Sequence, residues 1–290
     1  MQRKGLHGKN RPVEAWAKPA VAFLALVLGC ARGENAFDVD GGTVDSGSFA
    51  RDAGPLQAPP GEVFGHSENT LFRIDTITER MDLVGVFQGC TYVADIALDE
   101  NSTIYASTGT GLYIVETNTA RCTRIAEGTF PNSLSFVPKG TVDPAAEALV
   151  GYDGGDYIRI DTTTGAITKI GAIGGGLVSS GDIVSVKDGP TYLTVKGTSA
   201  CTSNDCLVEV DPKTGKMVKN WGSVGYSDVF GLAFWAGSIY GFSNDGELFE
   251  VTLTGGSLKT NTIPIPSKPA NLSFWGAGST TSAPVTPIPK

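Results

Sequence analysis

The sequence predicts an all-β fold, a β-propeller of five four-stranded blades in which one blade is split between the N- and C-terminal ends. A segment of two short strands around a turn recurs five times in the chain. Repeats of about 40–50 residues are typical of propeller blades. The 38 glycines and 16 prolines among 290 residues also favour a turn-rich β protein over a helical one.

The repeated segment is clearest at Tyr157–Gly171, where two alternating strands flank the turn Thr-Thr-Thr-Gly. Corresponding positions in successive copies are 41, 45, 50 and 41 residues apart. The other copies are Leu71–Gly85, Leu112–Ala126, Leu207–Asn220 and Leu248–Thr260.

Two more strand-like pieces lie between successive copies, so each unit has four short antiparallel strands. The first piece alternates around a small residue, which suits packing near a crowded central axis, and we predict that it is the inner strand of each blade. The predicted inner strands are Asp95–Leu98, Ser133–Phe136, Ile183–Val186, Gly231–Phe234 and Asn271–Phe274, and the predicted second strands are Thr103–Ala106, Ala148–Gly151, Thr191–Thr194 and Ser238–Gly241.

The two ends of the repeat region complement each other. The C-terminal end offers an inner strand, whereas the N-terminal end begins with a second strand, Glu62–Gly65. Pairing these strands in one blade leaves no long edge exposed. A linear β-solenoid, which has no reason for this complementarity, is one alternative. A sixth, degenerate blade within Lys169–Gly197 is the other.

Residues 1–29 have the pattern of a signal peptide, because five basic residues precede or adjoin an apolar run at Ala20–Leu28. This run is too short to span a bilayer. The sequence Val27-Leu28-Gly29-Cys30 resembles the lipobox of bacterial lipoproteins. That resemblance implies cleavage before Cys30 and lipid modification of its new N-terminus; the alternative is an ordinary secretory signal. Both interpretations export the chain, and the first places it at the outer membrane or cell surface of a bacterial envelope.

The rest of the chain divides into three regions. Residues 30–60 contain the lipidated cysteine and a Gly-, Ser-, Asp- and Pro-rich tether without apolar periodicity, for which we expect disorder. Such a tether reaches about 30 Å. Residues 61–278 form the predicted propeller, and residues 279–290 form a Pro-rich tail.

Four cysteines remain once Cys30 is assigned to the lipid, and they allow three pairings. In an exported chain, disulfides are expected. Cys201 and Cys206 flank four residues of a predicted loop, so we favour a local bond between them. Cys90 and Cys122 would then join the two sides of one blade. A zinc site is disfavoured, because no histidine is near and the CxxC spacing is absent.

The repeat pattern resembles the extracytoplasmic β-propeller repeat proteins of the NHL and YVTN kind over residues 61–278. This resemblance implies an architecture but no activity, because propellers include enzymes, ligand sensors and protein-binding scaffolds.

The composition argues against several functions. The formal charge is −8, from 30 acidic against 22 basic residues, so the chain has no basic surface for nucleic acid. His7 is lost with the signal peptide, which leaves His66 as the single histidine. The sequence has no GxSxG elbow, no HExxH and no dinucleotide fingerprint. We therefore predict no catalytic residues and no required cofactor.

A ring of oxygen-bearing residues at the starts of the predicted inner strands is the candidate ligand site. In a propeller these starts converge at one mouth of the central channel, where carboxylate and amide oxygens can coordinate Ca²⁺ or bind a polar ligand. The residue types are similar to those of calcium-dependent propeller lactonases, and the alternative role is the capping of loops. The five residues are Asp95, Asn132, Asp182, Asp228 and Asn271.

The sequence thus predicts a monomeric, lipid-anchored, non-enzymatic binding or scaffold module of the cell envelope. Its partners are expected to be the membrane, through the lipid, and an envelope protein, a glycan or a small molecule. The alternative function is a cation-dependent hydrolase or lactonase with its site at the mouth of the central channel.

Overall fold

The computed structural model describes residues 61–198 and 200–288, so the predicted signal peptide, Cys30 and the tether lie outside the described residues. All regular structure in the described part is β-strand. Accordingly, no helix in residues 61–198 and 200–288 is long and apolar enough to cross a membrane.

The described residues form five antiparallel sheets of four strands each. In chain order the strands are β1 (Val63–His66), β2 (Thr70–Asp75), β3 (Arg80–Val86), β4 (Val93–Leu98), β5 (Ile104–Thr108), β6 (Gly111–Val115), β7 (Cys122–Glu127), β8 (Leu134–Val137), β9 (Ala148–Asp153), β10 (Asp156–Ile160), β11 (Ile167–Ala172), β12 (Val178–Ser185), β13 (Thr191–Lys196), β14 (Cys206–Val210), β15 (Met217–Ser223), β16 (Val229–Trp235), β17 (Ser238–Ser243), β18 (Leu248–Thr254), β19 (Ser257–Ile263) and β20 (Gly276–Ser279).

The sheets are the blades of a five-bladed propeller. Blade 1 has the strand order β20-β1-β2-β3, and blades 2 to 5 are β4–β7, β8–β11, β12–β15 and β16–β19. The inner strands β20, β4, β8, β12 and β16 each contact the inner strands of both neighbouring blades, which closes the ring. The five-bladed fold is therefore confirmed. A linear solenoid is excluded, and every strand of the described chain belongs to one of the five blades.

Blade 1 is split between the chain ends, as predicted, through antiparallel pairing of β1 with β20. Val63 lies opposite Ser279, and His66 lies opposite Gly276. The predicted position of the inner strand, Asn271–Phe274, is wrong, because this segment is a turn followed by irregular structure.

The shift has a steric reason. The inner strand of blade 1 has the sequence Gly-Ala-Gly-Ser, and a Cβ on Gly231 of the adjacent blade would overlap Ala277. Phe274 instead packs edge-on against Phe72 and Phe242 in the apolar core. Where blades 1 and 5 meet, the inner strand of blade 1 therefore has room for small residues only.

The hydrophobic core lies mainly in the seams between blades. One buried cluster joins blades 1 and 2, one joins blades 2 and 3, one joins blades 3 and 4, and the largest joins blade 5 to blades 1 and 4. The outer strands β3, β7, β11 and β15 are half-buried or exposed along most of their length. Each blade is therefore stabilised mainly by its neighbours.

Both predicted disulfides are confirmed. The Cα–Cα distances are 5.6 Å for Cys90–Cys122 and 5.4 Å for Cys201–Cys206. The expectation that the first bond joins the two sides of blade 2 is wrong. The connection from β3 to β4 runs beside the outer strand β7, where the Cys122 N–H donates to the Gln88 carbonyl at 2.8 Å. The bond therefore ties this connection to the outer edge of blade 2.

The described part of the tail lies across one face of the ring. The Thr280 N–H donates to the Glu62 carbonyl at 3.0 Å, and the Lys187 N–H donates to the Thr281 carbonyl at 2.8 Å. The Ser282 hydroxyl donates to the Glu100 carbonyl at 3.4 Å. Glu62, Lys187 and Glu100 lie in or beside the connections from an inner strand to the second strand of its blade. The tail therefore covers the face of the ring at which the inner strands end.

Candidate functional site

Two of the five predicted channel-mouth residues meet in the centre of the ring. Asp95 and Asp182 are fully buried, and their carboxyl groups lie close enough to influence each other's ionisation. The other three lie on the surface: Asn132 is exposed ahead of β8, Asp228 forms an ion pair with Lys196 at 2.7 Å, and Asn271 is exposed in a turn.

Each buried aspartate connects its own blade to the next blade. Asp95 Oδ2 accepts a hydrogen bond from the Leu134 N–H of blade 3 at 2.7 Å. Asp182 Oδ2 accepts the equivalent bond from the Leu232 N–H of blade 5 at 2.6 Å. The Oδ1 atom of each aspartate accepts from the N–H of the following residue in its own strand. All four carboxyl oxygens are thus occupied by main-chain donors.

Two serines extend the same network to other seams. The Ser185 N–H of blade 4 donates to Ser135 Oγ of blade 3 at 3.1 Å, and the Phe234 N–H of blade 5 donates to Ser279 Oγ of blade 1 at 2.9 Å. Inner strands have no sheet partner on the side facing the channel, and buried N–H groups need acceptors. These polar side chains supply the acceptors.

The aspartate pair is held in a partly protonated state. Burial raises the pKa of both carboxyls well above the usual range, and the negative charge of Asp182 raises the pKa of Asp95 further. Two adjoining carboxylates that are removed from water cannot both ionise at neutral pH, so the pair retains a proton. Within the part of the chain that the structure describes, no three His, Cys, Asp or Glu side chains are grouped so that they could hold a metal ion.

His66 lies beside this pair and is fully buried. Its Nδ1 atom is 2.9 Å from the Ser67 carbonyl, so Nδ1–H is the donor of this bond and Nε2 carries the lone pair. Nε2 has no hydrogen-bond partner among the described residues. Burial lowers the pKa of His66 to about 4, which makes the imidazole neutral at physiological pH.

A second candidate site is an open groove of about 1,130 Å³ at the seam between blades 5 and 1, called the seam groove here. Its aromatic lining is Trp235 and Tyr240, whose side chains are almost fully buried. Ile77 from the β2–β3 turn and Ile288 from the tail are 74% and 50% exposed at its edges. The remaining lining includes Gly61, Glu62, Val63, Arg73, Ile74, Asp75, Thr76, Glu79, Asp82, Ala236, Ser238, Glu250 and Pro287.

Carboxylates dominate the charge of the seam groove. The single cation of its lining, Arg73, is paired with Glu62 at 3.1 Å. Among residues 61–198 and 200–288, neither Glu79 nor Glu250 has an ion-pair partner. Burial, together with the negative charges of Glu250 and Glu79, raises the pKa of Tyr240 to about 12. Two uncompensated carboxylates therefore lie close to one aromatic side chain.

The seam groove could not be predicted from the sequence, because its lining comes from three distant stretches of the chain: residues 61–82, 235–250 and 287–288. The feature of the sequence that could have indicated the groove is the split blade. Pairing the two chain ends in one blade places the first strands of the domain beside the last complete blade, and the acidic residues of both then face one seam.

Fold and centre together define the class: an all-β, five-bladed propeller with a closed, hydrogen-bonded core. No protein-family model matches the chain. No curated protein matches it either.

Several solved structures share its general form at low identity. A protein of unknown function from Bacteroides caccae is 12% identical, with a TM-score of 0.39, over 74% of this chain and 77% of that chain. A chain of a nidogen/laminin complex is 10% identical, with a TM-score of 0.47, over 76% and 98%. A gluconolactonase from Xanthomonas campestris is 15% identical, with a TM-score of 0.45, over 75% and 76%. Likenesses of this size carry no information on function.

Proposed function

We propose that this chain is a non-enzymatic binding module of a bacterial cell envelope, anchored by lipid on Cys30, which binds its partner in the seam groove. The groove is the observation that carries the proposal. It combines a volume of about 1,130 Å³, aromatic side chains in its lining and carboxylates without cationic partners. Concave sites of this kind, apolar with a few polar groups, are the usual binding sites of proteins.

The arrangement of the centre favours this function over a cation-dependent hydrolase. All four oxygens of Asp95 and Asp182 accept hydrogen bonds from main-chain N–H groups. Asn132 and Asn271 are exposed outside this centre, and Asp228 is occupied by Lys196. A calcium site needs six to eight oxygen ligands. Each oxygen of the two central carboxyl groups already accepts one main-chain hydrogen bond, and the other three predicted ligands lie elsewhere, so the centre offers a calcium ion few oxygen ligands.

Photo-crosslinking in intact cells tests the binding site. We expect p-benzoylphenylalanine at Ile77, which is 74% exposed at the groove, to crosslink one dominant envelope partner. The matched control is Ile167, an exposed isoleucine of the outer strand β11 in blade 3. Equal crosslinking at both positions, or none at Ile77, would contradict the proposal.

Metabolic labelling tests the anchor separately. Wild-type protein is expected to take up labelled palmitate and to stay with the membrane fraction, whereas Cys30→Ala should lose both properties. Retention of the label in Cys30→Ala would show that another residue carries the lipid.

A further inference from the structure

The charge of the seam groove restricts the kind of partner that it can accept. Of its charged side chains, five are carboxylates and one is a guanidinium, and that guanidinium is already paired with Glu62. An anionic ligand would be repelled by Glu79 and Glu250. A cationic group placed between these two residues would be attracted by both negative charges.

The exposed apolar side chains restrict the partner further. Ile77 belongs to blade 1 and Ile288 to the tail, and both line the groove. Burying them favours a ligand with aliphatic or aromatic groups next to its cationic groups. Alternating basic and apolar side chains are a property of polypeptides.

The size and shape of the groove agree with a chain-like ligand. Its volume of about 1,130 Å³ exceeds the range of about 300–1,000 Å³ that is common for small-molecule pockets. Part of its lining is already irregular polypeptide, Pro287 and Ile288 of the tail, so a chain without regular structure can lie in this seam.

From this complementarity we infer that the partner contributes an extended polypeptide segment in which lysine or arginine alternates with apolar residues. This inference rests on the proposed function, because it assigns a ligand class to the seam groove. The cationic groups lie between Glu79 and Glu250, and the apolar groups contact Ile77 and the tail. Attraction between charges at this half-open site weakens as salt screens them.

Calorimetric titration of the whole exported chain with defined peptides tests the inference. The probe is the acetylated and amidated peptide Lys-Leu-Lys-Val-Lys-Leu-Lys. One comparison peptide replaces every lysine with glutamate, and the other replaces every leucine and valine with serine. We expect the probe to bind at least about tenfold more tightly than either comparison peptide, and to lose affinity as salt increases.

Matched variants place the binding on the surface. Glu79→Gln combined with Glu250→Gln removes the two unpaired charges and keeps the size of both side chains, and we expect about tenfold weaker binding. Asp153→Asn combined with Glu209→Gln removes two charges from blades 3 and 4, outside the groove, and should leave the affinity unchanged.

The outcomes separate this inference from the proposed function. Equal binding of the glutamate peptide, or equal affinity of the groove and control variants, overturns the basic segment as the ligand. If Ile77 still crosslinks an envelope partner in that case, the seam groove remains the binding site for another ligand class. A crosslinked glycan instead of a protein also overturns the inference. Equal crosslinking at Ile77 and Ile167, or no crosslinking at Ile77, overturns the proposed function itself.

Discussion

In the centre of the ring, side-chain oxygens replace the main-chain acceptors that an additional strand would supply to each blade. Asp95, Asp182, Ser135 and Ser279 each accept an N–H from a neighbouring inner strand. A buried N–H without an acceptor costs about 1–3 kcal/mol. The polar residues of the inner strands are therefore required by the closed ring, and their presence alone does not indicate a ligand site.

The aspartate pair predicts a stability that falls with rising pH. Its raised pKa values mean that the folded chain holds a proton that the unfolded chain, with an aspartate pKa of about 3.9, releases. Stability is therefore lost as pH rises towards the folded pKa. His66 acts in the opposite direction between about pH 4 and 6.5, because its pKa is lowered to about 4.

The variant Asp95→Asn tests this pH dependence of stability. Asparagine binds no proton, so we expect a smaller loss of unfolding free energy than in the wild type as the pH rises above about 4, the pKa of an aspartate in the unfolded chain. Urea denaturation at several pH values measures the slope, and Asp153→Asn, an exposed position, is the control. Identical slopes in the wild type and in Asp95→Asn would show that the pair does not carry the titration.

A glycine beside the pair gives a second prediction. A Cβ on Gly276 would overlap both Asp95 Oδ1 and His66 Nε2, whereas Gly109 has open space around the same position. We expect Gly276→Ala to lower the unfolding free energy by about 1–3 kcal/mol and Gly109→Ala to change it little. Thermal melting of both variants measures the difference. An unchanged melting temperature for Gly276→Ala would mean that the centre can expand.

At the scale of elements, the alternating repeats predicted most strands, whereas β20 was misplaced. The segment Asn-Leu-Ser-Phe before β20 has the alternation of Ser-Leu-Ser-Phe at the start of blade 3, while β20 itself is Gly-Ala-Gly-Ser. Hydrophobic alternation identifies strands with one buried face. The space that remains near the axis determines which segment becomes the inner strand of blade 1. That space depends on the other four blades, so the local sequence does not reveal it.

The two disulfides predict unequal contributions to stability. In the chain-entropy account, a bond that closes a longer loop removes more freedom from the unfolded chain. Separations of 32 residues for Cys90–Cys122 and 5 residues for Cys201–Cys206 correspond to about 3–4 and about 2 kcal/mol. We expect the double alanine variant of the first pair to unfold at lower urea concentration than that of the second. The reverse order would contradict the entropic account for this protein.

At the scale of the whole molecule, both ends of the described chain meet at the seam groove. Gly61 and Glu62 line it from one end, and Pro287 and Ile288 line it from the other. Closing a propeller through a split blade brings the chain termini to one seam. The tail then covers the adjoining face of the ring, so the groove is the concave surface that remains beside it.

The sequence could predict the blade count and the split, but it could not show how the side chains of the predicted ligand site are paired. Asp95 and Asp182 do converge, and their residue types alone suggested a ligand site. Their partners, the N–H groups of Leu134 and Leu232, become visible only when the ring is assembled. The seam groove also forms only when the ring is assembled, because no single repeat contains all of its lining residues.

We expect binding in the seam groove without any contribution from the central aspartates. Titration of the basic peptide against wild type, Asp95→Asn and the double variant Glu79→Gln and Glu250→Gln, each with calcium and with EDTA, separates the two sites. We expect an affinity within about twofold of wild type for Asp95→Asn, about tenfold weaker binding for the groove variant, and no effect of calcium. Loss of binding in Asp95→Asn with full binding in the groove variant, or a requirement for calcium, would contradict this expectation.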